Sequence, residues 1–231
     1  MKKISYTSLL TTTILTSMVG GMSHVYAAEA GNTTTDATAT IVAGDDNQDP
    51  TPPIVDPTDP DDETGQQGPL TLDYASHFEF GEIKLSNQAI EKTPVNKIED
   101  GNGGEVAPTF GAQVTDTRGT GAGWNLTVGL SAFKGTTDTT HELRGAQLEL
   151  PAGTAVSSDE TAEETTKPTT QAVTLDAGAS AQSLFTAGEN QGMGSWFDKL
   201  SADQIKLKAP SAQYADSYKA TLTWSLQDAP A

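Results

Sequence analysis

Apolar and polar residues alternate with a period of two in two runs that frame the second half of the chain. In the first, Trp124, Leu126, Val128 and Leu130 share one parity, and Asn125, Thr127, Gly129 and Ser131 the other. In the second, Tyr218, Ala220, Leu222, Trp224 and Leu226 alternate with Lys219, Thr221, Thr223, Ser225 and Gln227. A strand sends successive side chains to opposite faces, so each run predicts a β-strand with one apolar and one wet face. Each also holds Trp-x-Leu, with Trp and Leu pointing the same way. The second run is expected to be a central strand of its sheet. Shorter strands are predicted at Leu70–Tyr74, His77–Gly81, Ile83–Leu85, Phe110–Asp116, Ala146–Leu150, Ala172–Leu175, Ser183–Phe185 and Ile205–Leu207. Residues 152–171 are rich in Ser, Thr and Glu and lack periodicity, which predicts a long mobile loop. No convincing amphipathic helix interrupts the series. Many short strands separated by Gly, Pro and Asn turns predict an all-β fold, an antiparallel β-sandwich that is Ig-like or related, over residues 68–231.

Two stretches precede the strands. Met1-Lys2-Lys3 is positive, Ile4 to Gly20 is mostly apolar or small, and Val25-Tyr26-Ala27 offers small residues at a cleavage site. That order predicts a secretory signal peptide over residues 1–27. Residues 28–67 hold ten acidic residues, no Lys or Arg and almost no large apolar side chain. Such a segment cannot bury enough surface to offset its chain entropy, so a disordered acidic spacer is expected. Its Asp run lacks the Asp-x-Asp-x-Asp-Gly order of a calcium loop.

The formal charge of −18 argues against nucleic-acid binding, which needs a basic footprint. Loss of Lys2 and Lys3 with the leader takes it to −20. With no cysteine, neither disulfides nor a thiolate metal site can form. No His-Glu-x-x-His, nucleophile elbow or metal-ligand spacing is present, and Gly119-x-Gly121-x-Gly123 leads into a strand rather than a helix. No catalytic residue, metal or cofactor is therefore expected, and no enzymatic activity. No Leu-Pro-x-Thr-Gly signal closes the sequence, so surface retention is expected to rest on non-covalent binding.

The Trp-x-Leu residues, Trp124, Asn125 and Leu126 with Trp224, Ser225 and Leu226, admit two readings. Exposed, the indoles would stack on sugars or fill a partner's pockets. Buried, they would hold the core. Exposing both stripes would leave an apolar patch of several hundred Å², rare on a soluble monomer, so the alternation favours the core. Trp196 and Phe197 follow Gly192-Met193-Gly194 in an expected loop, which makes them the candidates for surface contact.

The chain resembles the WxL domain of Gram-positive surface proteins. The resemblance is carried by Gly68-Pro69-Leu70-Thr71-Leu72-Asp73, by Val114-Thr115-Asp116-Thr117-Arg118-Gly119 running on to Trp124-Asn125-Leu126-Thr127-Val128, by Gly192-Met193-Gly194, and by Leu222-Thr223-Trp224-Ser225-Leu226. It implies a secreted protein of the cell surface, attached non-covalently to cell-wall peptidoglycan. It also implies a membrane-anchored WxL-interacting protein and other WxL proteins as partners. The alternative is an adhesin for host extracellular matrix proteins or carbohydrate. Because anionic wall polymers would repel a chain this acidic, a protein partner is expected to matter more than glycan alone.

Overall fold

The computed structural model describes residues 35–228. The signal peptide expected over 1–27 lies outside them. The chain divides into two units, Met1–Thr40 and Ile41–Ala231. The described part of the first, residues 35–40, forms neither helix nor strand. The second holds the fold, which is all-β.

Its strands, in chain order, are β1 (Leu70–Ala75), β2 (Ile90–Lys92), β3 (Ile98–Glu99), β4 (Glu105–Val106), β5 (Phe110–Asp116), β6 (Trp124–Leu130), β7 (Lys134–Gly135) and β8 (Gln147–Leu150). There follow β9 (Thr154–Ser157), β10 (Thr169–Thr170), β11 (Val173–Asp176), β12 (Gln182–Ala187), β13 (Gly194–Leu200), β14 (Lys206–Ala209), β15 (Tyr218–Lys219) and β16 (Leu222–Gln227). They build three four-stranded sheets, ordered β1-β5-β13-β9, β10-β12-β6-β16 and β11-β8-β14-β2, with two-stranded ribbons β15-β7 and β3-β4. Their pairings are antiparallel.

The first sheet packs on the second. Leu72, Ala112, Val114 and Trp196 from one meet Trp124, Leu126, Phe185 and Ala187 from the other. The second and third sheets share another core, in which Val128, Leu130 and Leu184 meet Leu148, Leu150, Val173 and Leu175. Strand β6 serves both: its four apolar side chains are buried, the first two in one core and the last two in the other. The period-two reading of this strand holds along its length.

Four expectations are corrected. Residues 28–67 were expected to form a disordered spacer, yet residues 44–66 lie along the outer face of the first sheet. The Gln113 side chain, fully buried, accepts from Ile54 N at 2.8 Å and donates to Pro52 O at 3.0 Å. Thr109 N donates to Pro57 O, Thr64 N to Asp73 O, and Gly44 N to Thr117 O. Low hydrophobicity excluded an apolar anchor, but this strap attaches through its backbone, to the backbone of the sheet and to the Gln113 side chain. The prolines also reduce the entropy lost on ordering.

Residues 152–171 are not one mobile loop. They contain β9, which pairs with β13, and β10, which pairs with β12. Their Ser/Thr/Glu composition hid two edge strands, whose outward side chains have no reason to be apolar.

Third, the run Tyr218–Leu226 is two strands, not one. It breaks at Ala220-Thr221, where β15 leaves β7 and β16 joins β6. β16 lies at the edge of its sheet rather than in the centre. Residues 77–85, read as two strands, form no strand: Gly81 turns the chain with a φ of +63°, and Glu79 O accepts from Val95 N in the loop after β2.

Candidate functional site

The two Trp-x-Leu copies are neighbours. β16 pairs with β6 so that Trp224 lies across from Val128 and Leu226 across from Leu126. They differ in depth. Trp124 and Leu126 are 0% exposed, whereas Leu222, Trp224 and Leu226 are half-buried.

Trp124 is held on every side. Its ring meets Phe185 edge-on, centroids 4.9 Å apart. Its indole N–H donates to Gly192 O at 3.0 Å. Gly192 has a φ of +70°, and a Cβ there would stand 2.6 Å from Trp124 Nε1. Glycine is therefore required, for conformation and for space. The next carbonyl, of Met193, accepts the Trp196 indole N–H at 3.0 Å. One Gly-Met-Gly turn thus satisfies two indoles that burial would otherwise leave orphaned. Asn125 is buried as well, its Oδ1 accepting from the Thr186 hydroxyl at 3.0 Å.

The phrase before Trp124 has a matching role. Arg118 donates from Nε and Nη2 to the two oxygens of buried Asp116, at 3.0 and 2.7 Å. Nη2 also donates to Gly123 O at 2.8 Å, and Nη1 to Asp228 O at 3.3 Å. A forked cation suits this task, because its donors point in fixed directions. One side chain ties the end of β5, the entry to β6 and the exit from β16.

The expectation for Trp196 and Phe197 is overturned. They lie on β13, a central strand, and are 3% and 0% exposed. Their Gly-rich approach looked like a loop, but Gly192 lies in the turn and Gly194 already opens the strand. Burial removes both as surface contacts.

The half-buried face of β16 borders a groove of about 1480 Å³. Residues 75–85 form one wall, and residues 213–224 the other. Phe78, Phe80, Phe133, Tyr218, Leu222 and Trp224 give it an apolar floor. Among the described residues no strand pairs with the outer edge of β16. That edge, Leu222-Thr223-Trp224-Ser225-Leu226-Gln227, contains no charge and no proline. Charges and prolines are the usual protection against strand addition, so this edge is open to it.

The histidines, separated in sequence from their partners, were not legible as site residues. His77 Nδ1 lies 2.6 Å from Asp62 Oδ1, and Asn96 Nδ2 lies 3.0 Å from His77 Nε2. In the neutral ring this arrangement places the proton on Nδ1. Burial opposes protonation of His77, but Asp62 outweighs it and raises the imidazole pKa. Burial likewise raises the Asp62 pKa, against the pull of His77. Asp59, Asp62 and His77 bring ligand-type atoms within 4.8 Å of one another. Asp62 also accepts from the Tyr74 hydroxyl at 3.2 Å, and the group serves as a latch between strap and sheet.

Comparison with curated proteins and with solved structures found no match. A family model does match, that of the WxL domain, described as surface cell wall-binding, and it covers residues 28–230. The match includes both Trp-x-Leu strands, the Gly-Met-Gly turn and the strap. The chain belongs to the WxL domain family of surface, cell wall-binding proteins.

Proposed function

We propose that the chain is a secreted, non-enzymatic surface protein held non-covalently on Gram-positive peptidoglycan, and that a membrane-anchored WxL-interacting protein docks along β16. The observation that carries this reading is the asymmetry between the two Trp-x-Leu strands. β6 is buried as the shared wall of two cores, while its neighbour β16 keeps a free, uncharged edge and a half-covered Leu222-Trp224-Leu226 face. An added strand would pair with that edge, and its alternate side chains would enter the groove beside Trp224. Other WxL proteins are candidates for the same edge.

Ser225 is exposed on β16. A Ser225→Lys change places a charge on the edge without touching either core. It is expected to preserve the circular dichroism spectrum and to abolish capture by the membrane-anchored partner. Pull-down on purified peptidoglycan with and without that partner measures its share of retention. Equal retention in its absence would overturn partner-dependent attachment.

A further inference from the structure

We propose that Tyr214 is a stacking platform for a neutral pyranose ring of the wall glycan. The assignment rests on the wall-binding reading and gives it a contact residue. Tyr214 is 60% exposed, and among the described residues no other Phe, Tyr or Trp side chain is exposed. It lies between β14 and β15, on the wall of the groove.

The ring is not a loose surface side chain. His141 covers one of its faces, with centroids 4.4 Å apart and planes 4° from parallel. The imidazole is itself held, with Nδ1 2.9 Å from Asp216 Oδ2. Asp216 accepts further from the backbone N–H groups of Thr137, Asp138 and Ser217, at 3.1, 3.1 and 2.7 Å. These contacts, with burial opposing them, hold its carboxyl well below the usual range, so it stays charged beside the ring.

The loop around Tyr214 is fixed as firmly. Gln213 donates to Arg144 O and Pro210 O, both at 3.0 Å, and accepts from Arg144 N at 3.1 Å. The Tyr218 hydroxyl donates to Tyr214 O at 2.8 Å. Three side chains, Gln213 and Asp216 of the loop and Tyr218 at the start of β15, thus present one aromatic face to water. A ring already immobilised loses little rotamer entropy when a ligand covers it, which is how rigid aromatic contacts gain affinity.

The occupant follows from shape and charge. A pyranose offers a flat C–H face that matches an open aromatic face, with hydroxyls around its rim for the polar loop. Asp138 and Asp216 flank His141, the stacking partner of the ring, while Glu142 is paired with Lys134. The two carboxylates beside the platform disfavour phosphate-bearing polymers and leave the neutral sugar of the glycan strand.

The test uses the full chain and its Tyr214→Ala, Tyr214→Phe and His141→Ala variants. The probes are a soluble β1,4-linked N-acetylglucosamine hexamer by calorimetry and purified peptidoglycan by pull-down. Y214F should bind like wild type. Y214A should bind roughly tenfold more weakly, the ratio a stacking contact of about 1.4 kcal/mol carries. H141A should fall between them, because the ring loses its backing. Capture by the membrane-anchored partner is measured in parallel and should be unchanged in Y214A. Y214A binding the hexamer and peptidoglycan as tightly as wild type would overturn the platform while leaving wall attachment standing. Stronger binding of poly(glycerol phosphate) than of the hexamer would overturn the neutral-sugar assignment. Failure of the wild type on glycan and partner alike would overturn the platform and the wall-binding reading together.

Discussion

Trp124 and Trp224 occupy equivalent places in their motifs and should respond differently to the same substitution. Trp124→Ala removes a fully buried indole between two sheets and should cost about 3–5 kcal/mol, enough to unfold much of the protein. Trp224→Ala removes a half-covered ring at an edge and should cost about 1–2 kcal/mol. Circular dichroism and urea titration will show the first variant unfolded and the second folded, and only the folded one can report on partner capture. Asp198 raises another matter at this scale. It is 0% exposed on β13, directly across from Ala112 and Ala155, and neither of its carboxyl oxygens has a hydrogen-bond partner. Burial raises its pKa from 3.8 to about 7. An acid with a raised folded-state pKa keeps its proton where the unfolded chain has lost it. The contribution of Asp198 to stability is therefore greatest in acid and is lost as the pH rises from about 4 to about 7, by up to roughly 4 kcal/mol. Asp198→Asn removes this titration, so its melting temperature should change less between pH 4.5 and pH 7.5 than that of the wild type. Parallel melting profiles for the two proteins would show that Asp198 contributes none of the dependence.

At the scale of elements, the strap and the β6–β16 pair show how far the sequence could be read. The alternation in β6 and β16 was legible because each has one apolar face, and a period of two survives any arrangement of neighbours. Whether a strand lies at the centre or the edge depends on partners distant in sequence, so β16 was misplaced. β13 hid its nature because both its faces are covered: Ser195, Phe197 and Trp196 are all buried, and no alternation remains. The strap was illegible for a different reason. Its contacts are backbone hydrogen bonds to Gln113, Thr109 and Asp73, and nothing in an acidic, proline-rich segment encodes its acceptors. Gln113→Ala tests that attachment. It strips partners from Ile54 N and Pro52 O and leaves Asp73 with one donor fewer. A loss of about 2–3 kcal/mol is expected, with faster hydrogen exchange confined to residues 52–66 and their sheet partners. Exchange unchanged at Ile54 would show that the strap is held by other contacts.

For the whole molecule the dominant quantity is charge. Residues 28–231 carry a net −20, half of it in residues 28–67 and half in residues 68–231. Wall polymers of the same sign should repel such a protein at low ionic strength, where screening extends over about 30 Å, and much less at 0.15 M, where it extends over about 8 Å. Retention on walls that keep their anionic polymers should therefore rise with salt. On walls stripped of those polymers it should be flat. A fall with salt on either wall would mean that opposite charges make the contact. The turn at Gly192-Met193-Gly194 carries a lesson for anyone who would graft this module elsewhere. Its two carbonyls serve indoles from strands in different sheets. A Trp-x-Leu strand transplanted alone would arrive with a buried donor and nothing to receive it, so the hairpin-sized piece that travels must include the glycine turn some seventy residues downstream.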